Sequence, residues 1–293
     1  MLPPCNVFKE AGSDKIYMAL KNEINEQCKQ AKEFVTALWE IAHPFVDPDV
    51  LDDFPNQFQA RFWEIYLAAS LAQVPLPLLK SKGRDGPDIC ILPNGAPRIW
   101  VEAVSVTPGT GCDAVPEAEY GVATEVPDEQ MKLRLLSGFS EKLNKYNSYR
   151  KRNWVTASEP FIIAINDGMV ASRFLDIGPP RIVRSLLPIG FEVLHIDTTT
   201  MKSIGSSREY RDAVAKKSGT TIATTSFLNP EYSGISAVIY SPVDAINRPL
   251  DNFAGALLLF HNPHASNPLP LGLLKKGTEY WVEDGQLKNR NWN

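Results

Sequence analysis

Three acidic residues lie in stretches of the chain that are otherwise typical of buried structure. Glu64 interrupts the apolar run FQARFWEIYLAASLA, Glu102 lies within IWVEAVS, and Asp88 directly precedes ICIL. Burial of a carboxylate is costly unless a cation or a hydrogen-bond donor contacts it. These residues therefore indicate either a set of structural ion pairs or one cation that several acids share.

Asp88 and Glu102 belong to the two arms of a predicted β-hairpin. Residues that favour strands flank the sequence PNGAP, whose proline, asparagine and glycine residues are typical of a turn. A turn centred on Gly95 places Asp88 directly across from Glu102, with Cβ atoms about 5 Å apart, where like charges repel. A shift of one residue in register would put the two acids on opposite faces. In the first register, either a cation lies between them or one acid is protonated.

A divalent cation accounts for the three acids more simply than three separate ion pairs do. Ligand sets made only of oxygen favour Mg²⁺ or Mn²⁺, whereas Zn²⁺ favours histidine or cysteine. Such an ion polarises a phosphoryl oxygen and lowers the pKa of a bound water, which suits hydrolysis of phosphate esters. Considered alone, Glu64 is also explained by an ion pair with Arg61 or another arginine, and Asp88 by the capping of a turn.

Hydrophobic periodicity predicts the elements that position these residues. Apolar residues at helical spacing predict helices over residues 15–43, 56–73 and 128–152. Four apolar runs predict buried strands of one mixed sheet, namely PFIIAIN, FEVLHI, ISAVIYS and AGALLLF. The C-terminal sequence EYWVEDGQLKNRNWN predicts a small strand pair. The expected fold class is therefore α/β, with a mixed central β-sheet flanked by helices.

The same patterns divide the chain. Pro44 and the sequence VDPDVLDDFP end the first helical pattern, so residues 1–48 are interpreted as an N-terminal helical extension and residues 49–293 as the main domain. Residues 107–127 show no periodicity and predict a surface loop. All three acids then lie in the main domain.

The composition excludes several classes of protein. The 293 residues carry a formal net charge of −4, so the chain as a whole is not a polycation that coats nucleic acid. The four cysteines have neither the spacing of a metal site nor the density of a disulfide scaffold. The sequence has no leader-like apolar segment and no apolar run of transmembrane length. We therefore expect a cytoplasmic protein without a membrane partner.

The order and spacing of Glu64, Pro87-Asp88 and Glu102 resemble those of the PD-(D/E)xK nuclease superfamily. In that family an acid on the first core helix precedes a hairpin that bears Asp and then Glu-x-Lys. The match covers about residues 55–165, and the stretches ARFWEIYLAASL, RDGPDI and WVEAVS resemble a bacterial branch of nuclease-like proteins. The resemblance implies a restriction-endonuclease-like fold. It also implies a metal-dependent nuclease that hydrolyses phosphodiester bonds, in particular a DNA endonuclease.

The resemblance assigns roles to individual residues. It implies that Asp88 and Glu102 bind Mg²⁺ or Mn²⁺ together with the carbonyl group of Ala103. It implies that Glu64 is an outer ligand or an acid that positions a water. Asp88, Glu102 and Glu64 are thereby expected to be catalytic.

One position departs from the family pattern. The lysine expected two residues after Glu102 is replaced by Val104. Some relatives carry this lysine on the following helix, and Lys142 is the expected catalytic substitute because apolar residues share its helical face. A lysine on such a face can also simply extend along it to reach water. Arg134, two turns earlier on the same helix, is the alternative.

Basic residues near the acids are candidates for contacts with a phosphate backbone. Lys82 and Arg84 precede the hairpin and Arg134 lies on the third predicted helix, so these three are expected to bind nucleic acid, with DNA as the expected partner. A solvated loop explains Lys82 and Arg84 equally well. His261 and His264 lie among prolines without a third ligand and are interpreted as structural or substrate-contacting residues.

Val104 leaves a second function class open. A catalytically inactive nuclease-like protein that acts as a binding or assembly module would tolerate the loss of the motif lysine. A third interpretation is an unrelated α/β protein whose acids pair with arginines and which shows no dependence on divalent ions. The oligomeric state is also open, with a homodimer as one candidate.

Overall fold

A computed structural model describes residues 7–47, 49–80, 86–119 and 121–292 of the chain. Lys82 and Arg84, two of the predicted nucleic-acid contacts, lie outside the described residues. The described helices are α1 (Lys15–Lys21), α2 (Glu26–Ala42), α3 (Val50–Asp53), α4 (Phe58–Ala72), α5 (Asp128–Lys151) and α6 (Arg181–Leu186). The described strands are β1 (Ile89–Ile91), β2 (Ile99–Ser105), β3 (Phe161–Asn166), β4 (Ile189–Ile196), β5 (Ser203–Tyr210), β6 (Ala213–Ala215), β7 (Thr221–Ala223), β8 (Ala237–Ser241), β9 (Leu258–His261), β10 (Thr278–Glu283) and β11 (Gln286–Asn291).

A seven-stranded mixed sheet lies at the centre of the protein. Its strand order is β1-β2-β3-β8-β9-β10-β11, and β2, β3 and β8 run parallel to one another. Strand β1 pairs with β2 in the antiparallel direction, and α5 connects β2 to the parallel strand β3. The α/β class with a mixed central sheet flanked by helices is therefore confirmed.

Helices α4 and α5 cover opposite faces of the sheet. The α4 side chains share one buried core with Val101 and Ala103 of β2, whereas the α5 side chains share a second core against which Trp100 and Val104 pack. This separation follows from the alternation of side chains along a strand. The indole Nε1 of Trp63 donates to the Ala164 carbonyl at 3.1 Å and thereby ties α4 to β3.

The helix predicted over residues 15–43 is in fact two helices. The side chain of Asn25 accepts a hydrogen bond from the Cys28 N–H at 2.8 Å, and so begins α2 after a break at residues 22–25. Asparagine caps a helix better than it continues one, which explains the break. Ile24, counted in the apolar face of the predicted helix, is 66% exposed in the break. Both helices pack into the same core as α4.

The run FEVLHI does not form a buried strand of the central sheet, so this prediction is wrong. It belongs to β4, which pairs only with β5 in a separate two-stranded sheet, and residues 191–196 are exposed. The partner strand SIGSSREY is mostly polar, so the pair lacks a second apolar layer to cover it. The C-terminal strands β10 and β11 pair as predicted, and β10 also extends the central sheet by pairing with β9.

The α5 helix carries charges that suit its dipole. Asp128 and Glu129 lie in the first turn, and Arg150 and Lys151 lie in the last. In the part of the chain that the structure describes, no helix is both long enough and apolar enough to cross a membrane.

Candidate active site

The hairpin has the register that places Asp88 across from Glu102. Ile89 faces Val101 and Ile91 faces Ile99, so one further step along the pair brings position 88 opposite position 102. Strand β1 begins at Ile89, which leaves Asp88 just beyond the ladder. Its Oδ2 accepts a hydrogen bond from the backbone N–H of Ala103 at 2.6 Å. The predicted register is confirmed, and Asp88 is fixed against β2.

The Ala103 carbonyl faces the same side as Asp88. The N–H of Trp100 donates to the Pro160 carbonyl, on the side of β3. Successive residues of a strand turn their backbone groups to opposite sides. Those of Ala103, three residues further on, therefore face the other side, where the Ala103 N–H donates to Asp88. The position opposite Ala103 in this register is Pro87, which has no N–H to donate. The carbonyl oxygen therefore receives no ladder hydrogen bond from residue 87.

Glu102 is fully buried and is contacted by three side chains of α5. Its Oε1 accepts from the ammonium groups of Lys142 at 3.1 Å and Lys145 at 2.8 Å, and its Oε2 accepts from the Tyr149 hydroxyl at 3.0 Å. Lys142, Lys145 and Tyr149 follow one another at i, i+3 and i+7, and therefore share one face of the helix. Both oxygens of Glu102 are thus engaged, Oε1 by two ion pairs and Oε2 by a hydrogen bond from a neutral hydroxyl group.

The structure brings the predicted Lys142 to the acids, and it adds two residues that the sequence interpretation missed. Lys145 and Tyr149 are not among the site residues that the sequence predicts. The signal was present in the spacing of the three residues on the helix that follows the acidic strand. Periodicity of polar residues carries less information than that of apolar residues, because exposed faces are polar as well.

Glu64 lies next to this group but has a partner of its own. The Arg61 guanidinium donates to Glu64 at 2.6 Å and to Asp53 at 3.0 Å, so the structural ion pair considered for Glu64 is present. Burial raises the pKa of Glu64, while the charge of Arg61 and then that of Lys142 oppose the rise. Glu64 therefore interacts electrostatically with the hairpin acids as well as with its own helix.

The Asp88 carboxyl has a strongly shifted pKa. Burial is the largest cause, and the negative charges of Glu102 and Glu64 add to it, so that the pKa is raised to about 8. The charge of Lys142 and the hydrogen bond from Ala103 oppose this shift. Asp88 also lies on the wall of a depression of about 220 Å³, whose other lining residues include Asp53, Arg61 and Glu64.

The charges around Asp88 add to the effect of burial on its pKa. Four carboxylates, those of Asp53, Glu64, Asp88 and Glu102, face three cations, those of Arg61, Lys142 and Lys145. Glu141 lies 3.6 Å from Lys142 and adds a further carboxylate, so the acids outnumber the cations, and a proton or a metal cation at Asp88 would reduce this excess of negative charge.

The donor groups at this point fit a hard cation such as Mg²⁺ or Mn²⁺. Asp88 and the Ala103 carbonyl supply oxygen atoms, and such ions keep several water ligands. Among the described residues, no three Asp, Glu, His or Cys side chains are grouped so as to hold a metal ion by themselves. Glu102 would have to give up one of its present donors to become a ligand, so its role as a ligand stays a prediction.

The remaining predicted residues lie elsewhere or take part indirectly. Arg134 does not reach the acids and instead packs against Gly109 in the loop after β2. Val104 packs near Gly138 of α5, where a lysine side chain would have little space. His261 contacts Glu279 at 2.7 Å in a buried pair, in agreement with a structural role.

The arrangement as a whole places an acid, a carbonyl oxygen and a lysine at one edge of the sheet. Such a group can bind a cation and a phosphate side by side. Searches for similarity with family models, with curated proteins and with solved structures found no match to this chain.

Proposed function

We propose that the protein is a metal-dependent nuclease that hydrolyses phosphodiester bonds, with DNA as its substrate. The observation that carries this proposal is the 3.1 Å contact between Lys142 and Glu102, the acid that lies across the hairpin from Asp88. The element order α4, β1, β2, α5 and β3 also agrees with the restriction-endonuclease-like core that the sequence resemblance implies. The lysine reaches the acids from the crossover helix rather than from position 104.

Each residue of the site has a chemical task in this proposal. Asp88, the Ala103 carbonyl and Glu102 would hold Mg²⁺ or Mn²⁺, which supplies a water of lowered pKa and polarises the phosphoryl oxygen when it is bound. Lys142 offers positive charge to the phosphate, where negative charge develops during hydrolysis. Glu64 lies beside Asp88 on the wall of the depression and would orient a water molecule there.

A second candidate function is that of an inactive nuclease-like binding or assembly module. The observation that favours it is that both oxygens of Glu102 already have donors, Lys142 and Lys145 at Oε1 and Tyr149 at Oε2. A stable ion pair of this kind does not require a metal. Such a module would bind nucleic acid without hydrolysing it.

Cleavage assays distinguish these functions. Duplex DNA, single-stranded DNA and RNA are incubated with the full chain in Mg²⁺, in Mn²⁺ and in EDTA. The wild type is expected to cut DNA only with a divalent ion, and Asp88→Asn is expected to abolish both cleavage and metal-dependent stabilisation. Asp52→Asn, a change of an exposed residue on α3, is the matched control and is expected to cut normally.

The outcomes lead to different conclusions. Cleavage by Asp88→Asn at the wild-type rate would show that the hairpin acids are not the metal site. Binding of nucleic acid without any turnover by the wild type would establish the inactive module. Absence of both binding and any effect of divalent ions would favour an unrelated α/β protein with structural ion pairs.

A further inference from the structure

A second polar pocket lies at the N-terminal half of α5, away from the hairpin acids. Its volume is about 280 Å³, and it lies between α5, the loop after β2 and the turn that joins β6 to β7. The polar residues that line it are Arg134, Ser137, Ser140, Thr110, Asp113 and Lys216. Two cations and three hydroxyl groups thus face one acid.

Among the described residues, the two cations of this pocket outnumber its one acid, Asp113. The Nε of Arg134 is buried without a hydrogen-bond partner, and neither Arg134 nor Lys216 forms an ion pair with another described residue. The acid, Asp113, is engaged instead by the backbone N–H of Lys217 at 2.7 Å. A partly buried arginine without an ion-pair partner is costly, and an anion bound at the accessible end of its guanidinium would offset that cost.

The backbone around Arg134 is shaped to admit its guanidinium group. Gly109 has a φ of +84°, and a Cβ atom there would lie 2.4 Å from Nη1 of Arg134. Glycine is therefore required at this position both by the backbone conformation and by the approach of the arginine. The bond between Asp113 and Lys217 also fixes the turn that carries Lys216 against the same loop. The pocket is built by three segments rather than by one flexible side chain.

We propose that this pocket binds a phosphate group. Arginine presents several N–H donors in a planar fork that matches phosphate oxygens, and the hydroxyl groups of Ser137, Ser140 and Thr110 can donate further hydrogen bonds. In an extension that rests on the proposed nuclease function, the group is a backbone phosphate of the bound strand. Arg134 precedes Lys142 by eight residues of α5, which is about 12 Å of helix rise at about 1.5 Å per residue. That distance corresponds to about three or four nucleotides at a rise of about 3.4 Å each.

Thermal unfolding tests the pocket independently of catalysis. The melting temperature of the full chain is measured in sodium phosphate and in sodium chloride at equal ionic strength and pH. The wild type is expected to melt at least about 2 °C higher in phosphate, because a ligand of the native state stabilises it. Arg134→Gln is expected to lose this difference. Lys151→Gln, which removes the same charge from an exposed position at the end of α5, is expected to keep it.

Binding of duplex DNA tests the extension. Affinity is measured in EDTA over a range of salt concentrations, so that no cleavage occurs. Arg134→Gln is expected to weaken binding of all sequences alike and to lower the salt slope by about one, as for the loss of one phosphate contact. Lys151→Gln should leave the slope unchanged.

The two measurements separate the possible failures. If phosphate does not raise the melting temperature of the wild type, or raises that of Arg134→Gln equally, the pocket does not bind phosphate. If the rise in melting temperature depends on Arg134 but the salt slope of DNA binding is unchanged in Arg134→Gln, the pocket binds a free phosphate group. It then does not contact a backbone phosphate of the bound strand. Because neither measurement depends on turnover, failure of the proposed nuclease activity would be recognised separately in the cleavage assays.

Discussion

The ammonium group of Lys142 lies 3.1 Å from Oε1 of Glu102, and a close contact between α5 and β2 makes this possible. A Cβ atom on Gly138 would lie 2.6 Å from Cγ1 of Val106 and 3.4 Å from Cγ1 of Val104. Gly138 precedes Lys142 by about one helical turn, so the absence of its side chain lets the helix bring the lysine to the strand. Val104 is thus part of the packing that positions Lys142.

Replacement of Lys142 by glutamine should separate catalysis from metal binding. The change removes the buried positive charge next to Glu102 and leaves Asp88 and the Ala103 carbonyl in place. We expect kcat to fall about 10²- to 10³-fold, as when one donor to a developing negative charge is lost. Stabilisation of the protein by Mn²⁺ should persist in thermal unfolding.

Lys145→Gln and Lys151→Gln are the comparison variants. The Lys145 side chain is half exposed, and Oε1 of Glu102 keeps its contact with Lys142 when Lys145 is changed, so the loss in unfolding free energy should be about 1 kcal/mol. Lys151 is exposed at the end of the helix, and its removal should leave kcat unchanged. Normal turnover by Lys142→Gln would exclude Lys142 as the residue that acts on the phosphate.

Gly138→Ala should disturb the contact between α5 and β2. Overpacking of a well-packed interface typically costs about 1–3 kcal/mol, which exceeds the gain of up to about 1 kcal/mol from replacing glycine by alanine in a helix. We expect a lower free energy of unfolding in urea, together with reduced cleavage because Lys142 moves away from Glu102. Val106→Ala removes the methyl group that the new Cβ would meet, so the double variant should recover part of both losses.

Recovery in the double variant is the decisive observation. If Gly138→Ala alone were as stable and as active as the wild type, the glycine would not be what allows the approach. If the double variant were weaker than either single change, the two positions would not share one contact.

The part of the site formed by the hairpin could be predicted because its rules are local. The turn at PNGAP fixes the register, and the register alone places Asp88 opposite Glu102. The position of Lys142 needed the additional assumption that its apolar face packs on the sheet. The contacts of Lys145 and Tyr149 with Glu102 could not be predicted, because they depend on the distance between α5 and β2. That distance depends on Gly138, and neither element encodes it alone.

The failure of the FEVLHI prediction has a different cause. An apolar run indicates a strand that burial would stabilise, but whether the strand is buried depends on the strands that pair beside it. In this protein β8 occupies the position next to β3, and β4 is left to pair with the polar strand β5. That choice rests on contacts between residues distant in sequence.

Tyr149→Phe should show what the third donor contributes to Glu102. The change leaves Oε2 of a fully buried carboxylate without the hydrogen bond that the hydroxyl now donates. An unsatisfied buried acceptor costs about 1–3 kcal/mol, so we expect a loss of that size in urea unfolding. Tyr146→Phe, on the neighbouring face of the same helix, should change stability much less. Equal effects of the two changes would mean that the Tyr149 contact contributes nothing specific.

Asp167 should make the stability of the protein depend on pH. It is buried at the end of β3, where the Tyr240 hydroxyl donates to its carboxyl oxygens at 3.0 and 2.9 Å. Burial raises its pKa from 3.8 to about 7, although Tyr240 and the nearby charge of Arg181 oppose the shift. The folded protein therefore binds a proton more tightly than the unfolded chain does, and this contribution to stability is full below pH 3.8. It is lost as the pH rises toward and through about 7.

Asp167→Asn removes this titration, because an amide does not ionise. The free energy of unfolding should fall between pH 5 and pH 8 in the wild type and should fall less in Asp167→Asn, with the variant relatively more stable at the higher pH. Asp251→Asn changes an exposed carboxyl and should keep the wild-type slope. Urea unfolding at both pH values measures the difference, and parallel slopes for the wild type and Asp167→Asn would contradict a raised pKa at this position. Since Asp167 is separate from the hairpin acids, its effect on stability should appear without any change in the dependence on divalent ions.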